Sequence, residues 1–493
     1  MTYEEIINLA LRRSIFFPAN EIYNGPAGLF DYGPIGTAIK RKIVELWRKF
    51  LVKGEEMFEL DGAALMPEEV FLGSGHLEHF NDPMVQCKNC KVLHRADVLL
   101  QEINGKEWKE ATPLEEINAA LKQANVQCPR CQGELTEAKR FNMLVPAELG
   151  IVAKKLCFLR PETCQTLFLD FSRILKTCRV KLPIGLAQVG KSFRNEISPR
   201  QSLMRQVEFW QMEIEIFFDP DKINEHERFE EVADYELRIQ RFGSDKIETI
   251  AASELANKGI VSGKFIAYFL ARVQQLYEAY GIPIEKMRFR ELGSDERAFY
   301  AKEGWDFEVL TSLGWLELIA NNYRTDYDLT GHSKVSKADL SYIDETGKKF
   351  IPHIFEISIG LDRTFYAILE TALRKDKRVF LALERNLAPF HIGVFPLLSN
   401  RIELVNKAKE IYKNLKANWD AFYDDSGSIG RRYARADEIG VPLALTVDFE
   451  TLSDGTVTLR DRDTTNQIRV KIEKLDSILK KYFYNKTDFD KLI

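Results

Sequence analysis

Residues Gly185–Phe218 read GLAQVGKSFRNEISPRQSLMRQVEFWQMEIEIFF. The first eight letters match the phosphate-loop pattern G-x-x-x-x-G-K-S/T, in which a helix must begin at the Lys-Ser pair to bind phosphate. After Ser192, however, apolar and polar residues alternate with a period of two, and Pro199 would break a helix in its second turn. Pro183 also stands where the buried strand of such a loop would run. The context therefore disfavours a phosphate-loop nucleoside triphosphatase.

The alternation instead predicts a β-hairpin, with arms Leu186–Ile197 and Met204–Phe218 joined by the turn-forming letters SPRQS. One face of the second arm would carry the core residues Trp210, Met212, Ile214 and Ile216. The other face would carry Phe209, Gln211, Glu213 and Glu215. That polar face is either solvated, with ordinary ion pairs, or it is the floor of a ligand cleft. In a cleft, Arg194 is available to a phosphate and Phe209 to a purine ring.

The composition of the 493-residue chain is that of a globular protein, with 45% hydrophobic and 29% charged residues. Its length suits roughly two to four domains. The first residues, MTYEEIINLALRRSIFF, are acidic where a signal peptide is basic, and the chain has no apolar run near about 20 residues. We therefore expect a cytoplasmic protein with no membrane partner. The net charge of −5 gives no global basic character, so any nucleic-acid partner must be argued from sites.

Four of the seven cysteines form two C-x-x-C pairs, listed in order as Cys87, Cys90, Cys128 and Cys131. Each pair presents two thiolates from one turn, and four thiolates complete the tetrahedron that structural Zn²⁺ prefers. The spacing predicts a zinc module inserted over residues 86–135. The alternative is a reduced loop without metal. Cys157, Cys164 and Cys178 lack such spacing and read as small buried residues.

Two further segments have distinct patterns. Residues 220–290 read as mostly helical, as in ELANKGIVSGKFIAYFLARVQQLYEAYG. Residues 388–493 alternate helix and strand patterns from FHIGVFPL onward, which predicts a separate α/β domain. One predicted helix there carries three arginines that are candidates for phosphate contact or form a solvated face, namely Arg431, Arg432 and Arg435.

The letters FRNEISPR followed by VEFWQMEIE resemble motif 2 of the class II aminoacyl-tRNA synthetases, in the wording of the homodimeric glycyl-tRNA synthetase family. EIYNGPAGLFDYGPIGTAIKRKI resembles the motif 1 region, LRPETCQTLF resembles RPETAQGIF, and ISIGLDRTFYAIL resembles motif 3. The resemblance covers nearly the whole chain. It implies an α+β class II catalytic domain over 1–385, an antiparallel sheet flanked by helices. Within it lie a zinc-ribbon-like insertion over 86–135 and a helical insertion over 220–290. A C-terminal α/β anticodon-binding domain over 388–493 follows.

The activity that the resemblance implies is the joining of glycine to tRNA-Gly, in a homodimer. Glycine reacts with ATP, accompanied by Mg²⁺, to form glycyl-adenylate, and the glycyl group then passes to the 3′ end of the tRNA. No side chain acts as a nucleophile in this chemistry, because the carboxylate of glycine attacks the α-phosphate directly. Positioning and charge neutralisation therefore carry the catalysis.

The resemblance also implies the residues of the site. The implied ATP-binding residues are Arg194, Asn195, Glu196, Met204, Arg205, Phe209, Glu317, Leu318, Gly360 and Arg363. The implied glycine contacts are Arg95, Glu162, Phe209, Gln211, Glu213, Glu356, Ser358 and Gly360. Arg194 and Arg363 would be the catalytic pair, Arg194 on the α-phosphate and the attacking carboxylate, Arg363 on the γ-phosphate.

By the same resemblance, Glu196 would accept from the adenine amino group and Phe209 would stack on the adenine ring. Glu317 and Leu318 would lie on the ATP side and help to place magnesium. Glycine offers three N–H donors and no side chain, so a selective site needs acceptors for the ammonium. Because one methyl is worth only about 1–3 kcal/mol, rejecting alanine must rest on steric exclusion.

The chain departs from the family wording where Cys164, Thr166 and Ile357 replace Ala, Gly and Pro, and also in LIANNYRTDYDL, where the family has GIANRTDYDL. Two alternatives to a glycyl-tRNA synthetase remain open, in addition to the phosphate-loop hypothesis. The first is a class II synthetase for another amino acid, such as threonine, proline or histidine. The second is a nucleic-acid-binding relative that has lost catalysis.

Overall fold

The computed structural model describes residues 2–105, 108, 112–152, 154–197, 199, 201–294, 296–375 and 377–492. The first elements are α1 (Tyr3–Arg12), β1 (Phe16–Pro18), β2 (Phe30–Tyr32), α2 (Pro34–Trp47), β3 (Phe58–Leu60), β4 (Leu65–Pro67), α3 (Glu68–Gly73), α4 (His76–His79), β5 (Asn81–Gln86), β6 (Leu93–Arg95), α5 (Ala96–Asn104), α6 (Leu114–Gln123), β7 (Lys139–Asn142), β8 (Val145–Leu149), β9 (Lys155–Leu159) and α7 (Gln165–Cys178).

The next elements are β10 (Ile184–Phe193), β11 (Glu208–Phe218), β12 (Glu236–Gln240), β13 (Ile247–Ala251), α8 (Ala252–Asn257), α9 (Lys264–Ala279), β14 (Met287–Glu291), β15 (Glu303–Thr311), β16 (Gly314–Thr325), α10 (Tyr327–Ser336), β17 (Tyr342–Ile343), β18 (Lys349–Phe350), β19 (His353–Gly360), α11 (Leu361–Ala372), β20 (Leu373–Lys375) and β21 (Val379–Leu381). The last elements are β22 (Ile392–Pro396), α12 (Ile402–Leu415), β23 (Ala421–Tyr423), α13 (Ile429–Glu438), β24 (Leu443–Val447), α14 (Phe449–Asp454), β25 (Thr456–Asp461), β26 (Gln467–Lys471) and α15 (Leu475–Phe483).

Nine strands of the described chain form the main sheet, in the order β13-β12-β14-β15-β16-β19-β11-β10-β3. Neighbouring strands in it run antiparallel, except for the parallel pairs β3–β10 and β12–β14. The predicted antiparallel sheet is therefore confirmed. Its centre, β16-β19-β11, brings three distant parts of the sequence side by side, with Glu213 opposite Ser358 and Ser358 opposite Ala320.

The predicted hairpin is confirmed as β10 and β11, which pair from Ile184 opposite Phe217 to Phe193 opposite Glu208. The eight letters that match the phosphate-loop pattern lie inside β10, and the Lys191 ammonium forms an ion pair with the Glu208 carboxylate on the neighbouring strand. No helix begins at the Lys-Ser pair, so the phosphate-loop hypothesis is wrong.

The two faces of β11 are both buried. Met212, Ile214 and Ile216 are at most 2% exposed and belong to the main apolar core, which also includes α9 and α11. Burying each of these side chains stabilises the fold by about 1.5–3 kcal/mol. On the opposite face Glu213 and Glu215 are fully buried, so that face is not a solvated one.

The prediction of a helical insertion over residues 220–290 is wrong in part. Residues 236–240 and 247–251 are strands that pair with each other, and β12 also pairs with β14, so the segment extends the main sheet. The signal was present in ELRIQ, where the buried Leu237 and Ile239 alternate with polar neighbours. The long apolar pattern of α9, which packs in the same core, concealed it.

The cysteine-bearing module has its own small sheet, in the order β6-β5-β7. Val85, Ala96, Leu100 and Ile117 form a separate apolar cluster between this sheet and the helices α5 and α6. Since β7 pairs with β5, the sheet of the module continues past residue 135 to Asn142.

The C-terminal part is an α/β domain, as predicted. Its five described strands have the order β23-β22-β24-β25-β26, parallel around β22 and antiparallel beyond β24, with a core of its own. Arg12 and Arg378 tie this domain to the rest through ion pairs with Glu438 at 3.1 Å and Asp437 at 2.8 Å. None of the helices within the described ranges is long and apolar enough to cross a membrane.

Candidate active site

A cavity of about 420 Å³ lies over the centre of the main sheet. Its floor comes from β11, β16 and β19, and it is closed at one side by residues near α4 and β9. The predicted site residues that line it are Arg95, Glu162, Arg194, Glu196, Met204, Arg205, Phe209, Gln211, Glu317, Leu318, Glu356, Ser358, Gly360 and Arg363. The structure thus brings together residues that are up to 268 positions apart in sequence, from Arg95 to Arg363.

Two predicted residues do not line the cavity. The Asn195 backbone N–H donates to the Met143 carbonyl at 2.8 Å, which holds the strand exit in place. Glu213 lies directly beneath the floor, where its carboxylate accepts from Gln211 Nε2 at 3.0 Å, from Thr163 Oγ1 at 2.5 Å and from Ser358 Oγ. Glu213 therefore positions Gln211 and Ser358, which do face the cavity.

One end of the cavity, which we call the arginine end, carries Arg194, Arg205 and Arg363. The Arg194 guanidinium lies 5.3 Å from the ring centroid of Phe209, a cation–π distance. Arg205 Nε donates to Glu196 Oε2 at 2.5 Å. Three guanidinium groups and an aromatic ring in one cavity suit a nucleotide, because guanidinium pairs with phosphate and the ring can stack on a base.

Arg363 lies in the first turn of α11 and is held from two sides. Its Nε donates to the Met204 carbonyl at 3.1 Å, and its Nη1 lies 3.3 Å from Glu317 Oε2. The neighbouring Asp362 fixes the start of the helix, because its carboxylate accepts from the Trp210 backbone N–H at 2.6 Å and from the Tyr32 hydroxyl. The guanidinium of Arg363 is thus aimed into the cavity by a buried anchor.

The opposite end, which we call the acid end, carries Glu162 and Glu356, with Glu213 and Glu215 beneath. Glu356 accepts from Arg324 Nη1 at 2.8 Å and from Asn322 Nδ2 at 2.6 Å. Glu215 is paired with Glu356 across the strands, and neither of its oxygens accepts a hydrogen bond in the part of the chain that the structure describes.

Burial and mutual repulsion set the charge of this end. Burial alone would raise the pKa of Glu162, but His76 and Arg324 bring that pKa below its ordinary value. Burial raises the pKa of Glu356 to about 8 despite Arg324, and Glu162 adds to the rise. Burial and Glu356 raise the pKa of Glu215 well above its usual range. The acid end therefore combines an ionised carboxylate with acids that keep protons near neutral pH.

The cation at the centre of the acid end, Arg324, is not among the predicted site residues. Arg324 is fully buried, pairs with both Asp328 oxygens at 2.7 Å, and lies under the Tyr300 ring at 3.6 Å. Arg324 lies at the end of β16 and Asp328 in the first turn of α10, so no single periodic pattern in the sequence links them. The other cavity residues that the sequence analysis missed are Phe80, Met143, Leu203, Gln206, Trp210, Tyr300, Ala320 and Asp362.

The four predicted metal ligands come together as a separate cluster. The Sγ atoms of Cys87 and Cys131 are 3.4 Å apart, those of Cys90 and Cys128 are 3.7 Å apart, and all four are free thiols. Tetrahedral Zn–S bonds of about 2.3 Å separate sulfurs by about 3.8 Å, so the cluster fits a zinc ion.

The two turns of this cluster have the same backbone geometry. In each, the N–H four residues after the first cysteine donates to that cysteine's carbonyl, from Lys91 to Cys87 and from Gln132 to Cys128. Lys91 and Gln132 are both left-handed, with φ of 61° and 58°. This repeated turn aims both thiols of each pair at one point.

In the C-terminal domain the structure contradicts a phosphate role for Arg432. Its side chain is buried and donates to the Pro396 carbonyl and, at 2.8 Å, to the Gly427 carbonyl. Arg435 pairs with Asp424 at 2.6 Å. Arg431 is exposed on the same helix. Only Arg431 of the three therefore presents its side chain to a partner.

Comparison with known proteins agrees with this geometry. Residues 153–372 match the tRNA synthetase class II core domain (G, H, P, S and T), and residues 391–482 match the anticodon binding domain. The fold and the cavity therefore define a class II aminoacyl-tRNA synthetase.

Curated relatives match along almost the full chain. The glycine–tRNA ligase of Methanothermobacter thermautotrophicus is 38% identical over 98% of this chain and 99% of its own length. Those of Pyrococcus furiosus and Aeropyrum pernix are 37% and 36% identical over 98% of this chain, and over 99% and 97% of their own lengths. The chain belongs to the glycine–tRNA ligase family.

Proposed function

We propose that this protein activates glycine with ATP and transfers the glycyl group to tRNA-Gly. The observation that carries the proposal is a single cavity with guanidinium groups at one end and buried carboxyl groups at the other. An adenylate needs a site of this polarity, because the polyphosphate is anionic and the amino group of glycine is cationic. The family to which the chain belongs supports the same activity.

In the first step, a carboxylate oxygen of glycine attacks the α-phosphorus of ATP, and the bond to the pyrophosphate oxygen breaks. Arg194 would neutralise the α-phosphate and the incoming carboxylate, with Phe209 stacked on the adenine. Arg363 would hold the leaving pyrophosphate. In the second step, a ribose hydroxyl of the tRNA would attack the carbonyl carbon, its proton would pass to the phosphate of the departing AMP, and the bond between the glycyl group and that phosphate would break. The bonds form and break between atoms of the substrates, and the side chains act only by position and charge.

Magnesium would enter with ATP and neutralise part of the phosphate charge. Glu317, at the arginine end beside Arg363, is the cavity carboxylate placed to assist. At the acid end Glu162 would accept from the glycine ammonium. Glu356 and Ser358 lie on the same floor and would add further acceptors for the ammonium.

The backbone of Gly360 lines the cavity between the two ends. A Cβ built at this position would meet the Leu318 carbonyl oxygen at 3.6 Å, an ordinary contact, so the fold itself tolerates a side chain there. Packing of the protein does not require glycine at this position, so we infer that the absent side chain leaves space for the substrates.

The four-cysteine cluster would hold a structural Zn²⁺ through Cys87, Cys90, Cys128 and Cys131. The support is the sulfur spacing together with the repeated turn. Metal analysis of the purified protein should give one zinc per chain, and Cys90→Ser with Cys131→Ser should abolish it. A metal-free wild-type protein of unchanged stability would refute the zinc assignment.

We further propose the division into a catalytic domain ending near residue 385 and an anticodon-binding domain from residue 388. The family matches to residues 153–372 and 391–482 support a division in that interval. A homodimer and a cytoplasmic location stay predictions from the sequence. Sedimentation of the purified protein measures the first, and fractionation of cells the second.

The deciding experiment is ATP–pyrophosphate exchange measured separately with each of the twenty amino acids. We expect exchange with glycine and none with alanine, threonine, proline or histidine. Exchange with another of these amino acids but not glycine would refute the proposal. A protein that binds tRNA without any exchange would favour the non-catalytic alternative.

A pair of variants tests the placement of ATP. Arg194→Ala should lower the exchange rate about 10²–10³-fold, the usual cost of removing one preorganised charge-stabilising donor. Lys191→Ala is the matched control from the phosphate-loop letters, and its rate should stay within about twofold, because Lys191 pairs with Glu208 at the surface. Loss of ATP binding in Lys191→Ala would reverse this assignment.

A further inference from the structure

The two oxygens of the Glu162 carboxylate have different surroundings. Oε1 accepts from the Cys164 thiol at 3.0 Å and from Gln165 Nε2 at 2.9 Å, and His76 Nε2 lies 3.3 Å from it. Oε2 accepts no hydrogen bond from any side chain or backbone group that the structure describes, although Glu162 lines the cavity. Two hydrogen bonds and the neighbouring imidazole thus occupy one oxygen and leave the other for a ligand.

The His76 imidazole is fixed by a hydrogen bond on the side that faces away from Glu162. The Ser74 hydroxyl lies 2.8 Å from His76 Nδ1, and both residues are buried, at 0% and 2% exposure. A bare Nε2 would face the carboxylate lone pairs, so Nε2 must carry the proton that is donated to Glu162. The Ser74 hydroxyl can either donate or accept, so its contact with Nδ1 holds the orientation of the ring, with Nε2 towards Glu162.

Packing holds the imidazole in place. The ring contacts Phe71, Phe80 and Phe299 edge-on, with centroids 6.3, 5.4 and 6.1 Å away. The His76 carbonyl accepts from Asn142 Nδ2 at 3.2 Å and from the Phe80 backbone N–H at 3.1 Å. The ring can therefore neither turn nor retreat without disturbing α4, and its Nε2–H is a rigid donor.

We propose that His76, oriented by Ser74, is a positioning residue for the amino-acid substrate. It holds Glu162 so that Oε2 faces the cavity as an acceptor for the glycine ammonium. This inference rests on the proposed function, since it assigns how one wall of the glycine site is built. His76 itself does not line the cavity and acts through Glu162.

The chain offers a matched control in Cys164. Its thiol donates to the same Oε1 atom and is as deeply buried as His76. A thiol is a weak donor, however, and the related family wording has alanine at this position. Removing the thiol should therefore matter less than removing the imidazole, although both changes leave a small cavity at the same carboxylate.

The experiment measures KM and kcat for glycine and for ATP in pyrophosphate exchange by the full chain. His76→Ala should raise KM for glycine roughly tenfold, the loss expected for one hydrogen bond to a charged group, and leave KM for ATP within about twofold. His76→Gln, whose amide can place an N–H near the same point, should recover KM for glycine to within about threefold of wild type. Cys164→Ala should change KM for glycine less than about threefold.

Two results would overturn the inference. One is a His76→Ala protein whose KM values for glycine and ATP rise equally, as general loosening would produce. The other is a His76→Gln protein that melts like wild type yet binds glycine as poorly as His76→Ala. If His76→Ala does not fold, then His76→Gln and Ser74→Ala decide, and Ser74→Ala should raise KM for glycine with no change for ATP.

Failure of the proposed function is separately visible. Calorimetry of glycine binding to the wild type needs no catalysis. A wild type that neither binds glycine nor exchanges with it refutes the proposed function. A wild type that does both, beside a His76→Ala protein with unchanged glycine affinity, refutes only the role of His76.

Discussion

The arginine end of the cavity is partly open to solvent, whereas the acid end is closed. The Arg363 side chain is 36% exposed and its partner Glu317 46%, while Arg324 and Glu356 are 0% and 2% exposed. Charges in water are screened and interact weakly, but buried charges interact strongly and are costly when left unpaired. Charged residues are therefore weakly coupled to one another at the arginine end and strongly coupled at the acid end.

The difference follows from the ligands. A polyphosphate carries several charges and brings its own counterion, so exposed guanidinium groups suffice to guide and orient it. Glycine offers one ammonium and no side chain, so the site must distinguish it by a small, rigid set of acceptors and by the absence of space. A buried network with fixed partners provides that rigidity, at a cost in desolvation. The arginine end thus relies on exposed charge, whereas the acid end relies on a rigid, buried hydrogen-bond network.

We expect the greatest loss of stability from Arg324→Ala, which tests whether the acid end is a structural unit. Arg324→Ala would leave the buried Asp328 carboxylate without its cation and would remove a hydrogen-bond donor from Glu356, so we expect a loss of about 3–5 kcal/mol in the free energy of unfolding. Arg48→Ala removes a surface arginine that pairs with Glu59 and should cost at most about 1 kcal/mol. Urea unfolding of both variants measures the contrast. Equal losses would contradict the division into two electrostatic regimes.

The second prediction concerns pH. Because burial raises the pKa of Glu356 to about 8, from an ordinary value of 4.5 in the unfolded chain, the folded state holds a proton that the unfolded state loses. This group therefore stabilises the protein most below about pH 4.5, and its contribution disappears as pH rises through about 8. Glu356→Gln should flatten the decline of unfolding free energy between pH 5 and 8.

Glycine supplies a second measurement of the same linkage. A bound ammonium favours the ionised carboxylates, so binding should release protons, detected by calorimetry in buffers of different ionisation enthalpy. The wild type should release more protons than Glu356→Gln near pH 7. Proton uptake on glycine binding would contradict the raised pKa of Glu356 as the source of this linkage.

The hairpin, the cavity residues and the cysteine cluster could be predicted because each leaves a local pattern in the sequence. Period-two alternation marks β11, C-x-x-C spacing marks the cluster, and the three motifs name most cavity residues through their resemblance to a family. What these signals share is that they lie within one short segment each.

Arg324 and His76 could not be predicted in the same way. Their roles depend on partners more than thirty residues away, namely Glu356 for Arg324 and Glu162 for His76, and only the folded chain brings these together. The strands β12 and β13 were missed for a related reason. The two strands pair with each other, and β12 joins them to the main sheet by pairing with β14, which follows α9 in the sequence. Tertiary pairing decided both cases.

The last prediction concerns the arginine end, where we expect the smallest change in stability. Arg363→Ala removes a guanidinium that is 36% exposed and 3.3 Å from Glu317, so the free energy of unfolding should fall by less than about 1 kcal/mol. The exchange rate should nevertheless fall about 10–100-fold, because that charge would stabilise the departing pyrophosphate. Glu317→Gln, which removes only the partner's charge, is the stability control. Arg363→Ala with a large loss of stability would show that the arginine end is as structural as the acid end, and that exposure does not separate them.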